Sequence, residues 1–228
     1  MTSQKPIASA DPGAKELLDH ALRAKGGLAK LQAIKTVKVE GTLTYATAGK
    51  PIAFAFANYI EYPDRFRVDA DTPGGRVTQV SAGGKYWIAD GKGASDVLDA
   101  QQSAPIRAAI DRDIVRLLIQ AAAGKLTVAT VDAPAEDPLT AALEISGSGI
   151  APVTLLINRT NGLIEMARYD AGAEGRTTET YSDYRNVNGI QVPFHTVLRR
   201  GVLSPIERDV KTIRFNVPLD AGLFVRPS

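Results

Sequence analysis

Apolar and polar residues alternate with period two through the C-terminal third of the chain. Residues 178–184 and 190–198 are both rich in β-formers, and Asn188-Gly189 between them supplies the positive-φ pair of a tight hairpin. The two runs are therefore expected to be antiparallel neighbours. A third run, residues 207–217, sets Val210, Thr212, Arg214 and Asn216 on one face and Asp209, Lys211, Ile213, Phe215 and Val217 on the other. Pro218 ends it, because proline has no N–H to give to a ladder.

Upstream the period changes. Residues 1–13 are polar and rich in Pro, Ser and Ala, which predicts a disordered segment. From Ala14 to about residue 33, Leu17, Leu18, Ala21, Leu22, Leu28 and Leu31 fall at helical spacing after an Asp11-Pro12 cap, and Gly26-Gly27 splits the helix in two. Ile34, Val37, Val39 and Leu43 then begin a strand. The next strand has two apolar faces, Ile52, Phe54, Phe56 and Ile60 against Ala53, Ala55 and Ala57. It reads either as a strand covered on both sides or as one whose face borders an apolar cavity. Phe66, Val68 and Ala70 then alternate with Arg65, Arg67 and Asp69, so that strand has one wet face.

Between Ala100 and Ala123 one helical stripe appears, Ile106, Ile110, Ile114, Leu117, Leu118 and Ala121, which requires a helix lying on the sheet. Ser103 is the expected cap, Pro105 suits the first turn, and Gly124 the C-terminus. Residues 132–138, with two prolines and three acids, read as a surface loop.

Composition narrows the chemistry. Twenty glycines and thirteen prolines among short apolar runs suit many strands and turns, and 228 residues suffice for one sizeable core. A net charge of +2, from 27 basic and 25 acidic residues dispersed along the chain, argues against a nucleic-acid partner. With no cysteine, disulfides, thiolate metal sites, a cysteine nucleophile and a lipid-anchored cysteine are excluded for this chain. His20 and His195 are not spaced as ligands, so no metal site is expected, and His195 reads as a surface or hydrogen-bonded strand residue. No nucleophile elbow, P-loop or dinucleotide glycine motif occurs, so no cofactor is expected. Met1 and Met166 are the only methionines, so any cavity must be walled by Ile, Leu, Val, Phe and Ala.

The segment 181–227, with its Asn188-Gly189 hairpin, resembles the C-terminal part of the outer-membrane lipoprotein-sorting family, the LolA-like lipoprotein carriers (LolA/LolB-like fold). Tyr62-Pro63-Asp64-Arg65-Phe66-Arg67-Val68 is similar to that family's Pro-x-x-Phe strand, Val80-Ser81-Ala82-Gly83-Gly84-Lys85-Tyr86-Trp87 to its hairpin ending in tryptophan, and residues 156–164 to its Asn-Gly hairpin. The resemblance implies an α+β, mainly antiparallel β fold: a strongly curved unclosed barrel whose helices cover the concave face, as a single domain over residues 14–228. It also implies a periplasmic location. No apolar leader opens the sequence, which leaves a cytosolic protein or an export signal outside it, and the resemblance favours the second.

The function so implied is a non-enzymatic carrier or sensor holding an acyl chain, or the lipid of an acylated lipoprotein, between sheet and helices, with a membrane-associated protein as further partner. Phe54, Phe56, Phe66, Trp87, Ile110, Ile114 and Leu117 are the expected lining. Arg65 and Arg67 are candidates to hold a head group or clamp the covering helix, against the plainer reading of arginines on a wet sheet face. Two alternatives stay open. One is a protein-interaction module of an envelope-associated system; the other is an enzyme built on the same half-barrel.

Overall fold

A computed structural model describes residues 11–227 apart from 48, 135, 136, 148, 173 and 174. The expected disordered segment falls, up to residue 10, outside the described residues. Helix α1 spans Pro12–Lys25 and α2 spans Leu28–Gln32. One carboxylate oxygen of Asp11 accepts the N–H groups of Gly13 and Ala14 at 3.0 and 3.2 Å; the other accepts Thr130 N–H and Oγ1–H at 2.9 and 2.7 Å. This cap starts the helix two residues ahead of Ala14 and ties it to a distant strand. The helices break at Gly26-Gly27, as expected. Gly26 has φ 125, and a Cβ there would stand 2.3 Å from the Gly189 carbonyl oxygen, so glycine lets the helix pair sit against the Asn188-Gly189 turn.

Six strands follow: β1 (Thr36–Tyr45), β2 (Ile52–Glu61), β3 (Arg65–Thr72), β4 (Gly75–Ala82), β5 (Lys85–Asp90) and β6 (Gly93–Ala94). Helices α3 (Ala100–Asp111) and α4 (Ile114–Ala122) lead to β7 (Thr127–Val131), β8 (Thr140–Gly147), β9 (Ile150–Asn158), β10 (Ile164–Asp170), β11 (Arg176–Val187), β12 (Ile190–Arg200) and β13 (Ile206–Phe215). All thirteen lie in one antiparallel sheet of order β6-β5-β4-β3-β2-β1-β13-β12-β11-β10-β9-β8-β7. The chain starts in the middle of the sheet, meanders out to β6, crosses to β7, and meanders back until β13 pairs with β1. The connection from one edge to the other must span the sheet, and α3 and α4 supply it. The curved sheet does not close, since β6 and β7 remain edges.

The helical stripe of residues 100–123 is two helices, not one. Asp113 accepts the Arg116 N–H at 2.9 Å and starts α4 afresh. Nor is Ser103 the cap of α3: the Asp99 carboxylate takes the N–H groups of Gln101 and Gln102, and Gln102 returns a bond to the Asp99 N–H. That shift puts Pro105 inside the helix rather than in its first turn. Gly124, with φ 68, follows α4 as expected.

The single-phase reading of residues 207–217 also needs correction. Glu40 pairs with Thr212 but Gly41 pairs with Val210, so Lys211 is an extra residue, a β-bulge. The bulge reverses the phase. Ile206, Arg208 and Val210 therefore share a face with Ile213 and Phe215, whereas Asp209 lies on the other.

The core forms where helices meet sheet. Leu18, Leu22, Leu31, Leu117 and Leu118 pack with Leu143, Ile145, Leu155 and Ile157, and Val39, Ile60, Ile213 and Phe215 join its margin. The face holding Val39, Ile60 and Ile213 is thus the concave one.

Candidate functional site

Cross-strand register assigns each candidate side chain to a face. Ile60 pairs with Phe66 and Val37, and Phe56 with Ala70 and Gly41, so Phe54, Phe56 and Phe66 belong to the concave face, as do Leu43, Val68 and Ala70. Phe56 and Phe66 are buried; Leu43, Phe54, Val68, Ala70, Val77 and Ile88 are half-buried. These side chains line a largely apolar trough along β1–β5, in which the register also sets Asn58 and Gln79 on either side of Val68 and Ser81 opposite Phe66. It continues to a rim at Tyr45 and Ile52, 37% and 42% exposed, where the Tyr45 and Phe54 rings stack at 5.4 Å.

The remaining expected lining residues are not gathered with them. Trp87 pairs with Val80, which pairs with Arg67 and so with Tyr59: a whole row on the convex face. The C-terminal 3-10 helix, Ala221–Phe224, touches β3 and β4, and Val80, Trp87 and Phe224 are all buried. Leu117 is a fully buried core residue, Ile114 packs on the core margin, and Ile110 of α3 is half-buried. Arg67 donates to both carboxylate oxygens of Asp69 at 3.0 Å and to the Leu223 carbonyl at 3.1 Å, while Thr78 Oγ1 donates to Asp69 at 2.8 Å. Arg67 thus clamps a helix, but it is the C-terminal one on the convex side. Arg65 is exposed and pairs with Glu61 at 3.1 Å. His195 bonds Asp209 across the strands at 2.7 Å, the hydrogen-bonded role expected of it.

The concave face also holds charge that its apolar pattern did not announce. Tyr62 Oη donates to Asp113 Oδ1 at 2.9 Å, joining the β2–β3 turn to the start of α4. Burial raises the Asp113 pKa, and burial together with the Asp113 charge holds Tyr62 well above the usual phenol range. Lys25, at the end of α1 and 9% exposed, is pushed down to about 8 by burial, with the Asp113 charge opposing and the Arg208 charge adding to the fall. Its Nζ stands 6.0 Å from the centre of the Tyr184 ring. Arg208, opposite Leu43 and Thr196, donates from Nη2 to Thr196 Oγ1 at 3.3 Å, and its buried Nε has no partner among the described residues. Asn58 Oδ1 on the same face is likewise without one. Tyr169 and Tyr181 donate to the two oxygens of Glu179 at 2.6 and 3.0 Å.

Signals for two of these residues were present in the sequence. Lys25 continues the helical stripe of Leu18, Ala21 and Leu22, and Arg208 lies in phase with Ile206 and Val210. Each is a charge written at an apolar position.

Two shallow hollows are present, the first beside α2 and the second on the convex face. One, of 220 Å³, lies between Lys30, Ile34, Asn188 and Phe215; the other, of 330 Å³, opens beside Ala55, Ala57, Asp69 and Lys211. Among the described residues no cluster of three His, Asp or Glu side chains could hold a metal ion, and no helix is long and apolar enough to cross a membrane.

An unclosed antiparallel sheet crossed on its concave face by helices defines a LolA-like fold, and the chain has that fold. It is similar over 95% of its length to 98% of a DUF1329 family protein from Desulfovibrio piger, at TM-score 0.68 and 15% identity. A LolA superfamily protein from Nitrosomonas europaea aligns at TM-score 0.63 and 15% identity, covering 93% of this chain and 97% of its own. The domain of a putative outer membrane lipoprotein-sorting protein from Vibrio parahaemolyticus aligns at 0.55 and 10%, over 93% and 96%. No protein-family model matches the chain, nor does any curated sequence.

Proposed function

We propose that this protein is a non-enzymatic carrier or sensor of the bacterial cell envelope, periplasmic in location, that holds an acyl chain or the lipid part of a lipoprotein against its concave face. The observation that carries the reading is the half-open trough of Leu43, Phe54, Val68, Ala70, Val77 and Ile88, floored by Phe56 and Phe66. Half-open apolar surface of this kind is characteristic of a binding groove, and Asn58, Gln79 and Ser81 give it a few polar points among the apolar ones. At roughly 0.8 kcal/mol per buried methylene, a chain of about 15 carbons supplies on the order of 12 kcal/mol gross, which dispersed surface charge does not match. The fold shared with a lipoprotein-sorting protein supports the same ligand class.

A second reading is favoured by the packing under α1, α2 and α4. There Leu31, Leu117, Leu118, Leu143 and Leu155 fill the space with the protein's own side chains. In a protein-interaction module the trough would receive an apolar segment of a membrane-associated partner instead. Native mass spectrometry after gentle purification, followed by titration with a fluorescent fatty acid and a diacylated lipopeptide, separates the two. Co-purified acyl mass and saturable uptake support the carrier; well-folded protein that takes up neither ligand leaves the interaction module.

A further inference from the structure

A guanidinium flanks the trough where β13 meets β1. Arg208 projects from β13 between Ile206 and Val210, in the row that runs through Leu43 to Phe54. Its Nη2 bonds only the neutral hydroxyl of Thr196, at 3.3 Å, and its Nε is shut from solvent without an acceptor. The residue as a whole is half-buried, and shutting part of a guanidinium from water is costly unless an anion or another acceptor completes it.

The carboxylates facing this space are already engaged. Asp113 accepts from Tyr62 and from the Arg116 N–H, and Glu179 accepts from Tyr169 and Tyr181. The other cations nearby deepen the imbalance. Lys25 adds a positive charge that repels Arg208, and Arg112 lies over the Tyr169 ring at 4.0 Å. Among the described residues no carboxylate forms an ion pair with Arg208 or with Lys25.

We infer that Arg208, with Lys25 behind it, anchors the anionic head group of an amphiphile whose acyl chain lies along Leu43, Phe54 and Phe56. The inference rests on the acyl-binding reading above and adds to it a charge requirement: the ligand carries a carboxylate or a phosphodiester at the end of its chain. A planar guanidinium suits either group, because both offer two oxygens at the spacing of its N–H pair. Lys25 supplies a second, less directional charge.

The test compares ligands that differ only in head-group charge. Dodecanoate and dodecanol, and dihexanoylphosphatidylglycerol and dihexanoylglycerol, are titrated below their aggregation limits against wild type, Arg208→Gln and Arg208→Lys, with circular dichroism checking that each variant is folded. Wild type should bind the charged member of at least one pair about tenfold more tightly, the ratio expected of a charge-assisted hydrogen bond. Arg208→Gln should erase that preference by weakening the charged ligand more than the neutral one, and Arg208→Lys should restore part of it. A preference confined to dodecanoate assigns the carboxylate; one confined to the phospholipid assigns the phosphodiester. Equal binding of charged and neutral members by wild type overturns the anchor and leaves the carrier standing, as does a preference that survives in folded Arg208→Gln. Failure of wild type to bind any of the four ligands removes the carrier reading itself, and the anchor with it. Because the wild-type comparison needs no substitution, a variant that does not fold does not block the test.

Discussion

Phe56 lies across the backbone of its cross-strand partner Gly41: a Cβ on Gly41 would stand 2.7 Å from the Phe56 ring and 2.2 Å from the Asp209 carbonyl oxygen. The missing side chain, together with the bulge at Lys211, lets β1 and β13 come together beneath the ring. The carbonyl cannot swing aside as a flexible side chain would. Gly41→Val should therefore lower the unfolding free energy by about 1–3 kcal/mol through overpacking, read from urea titration, with Gly41→Ala smaller in the same direction. Unchanged stability in both would show that the strands separate freely at this point.

The two crossing helices should differ in how firmly they are held. Leu117 and Leu118 of α4 are fully buried, whereas only Ser103 of α3 is. Leu118→Ala is expected to cost about 2–5 kcal/mol and Ile110→Ala well under half of that. Ile114→Asp, which puts a carboxylate at the core margin without a partner, should cost several kcal/mol. Hydrogen exchange should find α3 opening well before α4. Equal costs for Leu118→Ala and Ile110→Ala would place both helices in one packed unit.

Much of this sheet could be read from its turns. Asn188-Gly189, with φ 54 and 81, joins β11 to β12 where the sequence pattern set the hairpin. Elsewhere a long-range partner overrides a local rule. Lys211 bulges because Gly41, 170 places earlier, permits the close approach, and no pattern within 207–217 records that. Trp87 reads with the lining aromatics because its hairpin alone cannot say which face the C-terminal segment will cover. Lys25 and Arg208 lie at apolar phases, but a single charge on an apolar stripe reads locally as an imperfection. It becomes a feature only when β13, α1 and α4 are brought together around one space.

Tyr62 and Asp113 give the α4 start a specific tether to the sheet. Tyr62→Phe removes a hydrogen bond to a buried carboxylate and should lower stability by about 1–3 kcal/mol. The effect should be local. Exchange protection should fall in the first turn of α4 and remain unchanged in β8 and β9, whereas a uniform loss would mean that the phenol supports the whole core.

Acyl uptake should be most sensitive on the trough floor. Phe56→Glu places a carboxylate where the chain would lie and is expected to abolish fluorescent fatty-acid uptake. Because Phe56 is 4% exposed, the half-buried Phe54→Glu is the gentler probe of the same face. Trp87→Leu, on the convex side, should leave uptake unchanged. Folded Phe54→Glu that binds with wild-type affinity would move the ligand off this face.

Lys25 makes stability depend on pH in a direction opposite to that of a surface lysine. Burial lowers its pKa in the folded protein to about 8 from 10.5, so above about pH 8 the unfolded chain holds a proton that the folded one has shed. Stability should therefore rise with pH between those two values, and below about 8 the full penalty of burying the charge applies. From about pH 7.5 to about pH 9.5 the gain should be about 2 kcal/mol. Further up, the buried Tyr62 and Tyr181, whose phenols are held in the neutral form, begin to ionise in the unfolded chain and turn the curve down. Lys25→Met should be more stable than wild type near pH 7 and should lose the rise, because nothing at position 25 then titrates. Urea unfolding of both proteins across this range measures the difference directly. A wild-type curve as flat as that of Lys25→Met would show that Lys25 keeps its proton throughout, stabilised by Asp113 more strongly than burial opposes it.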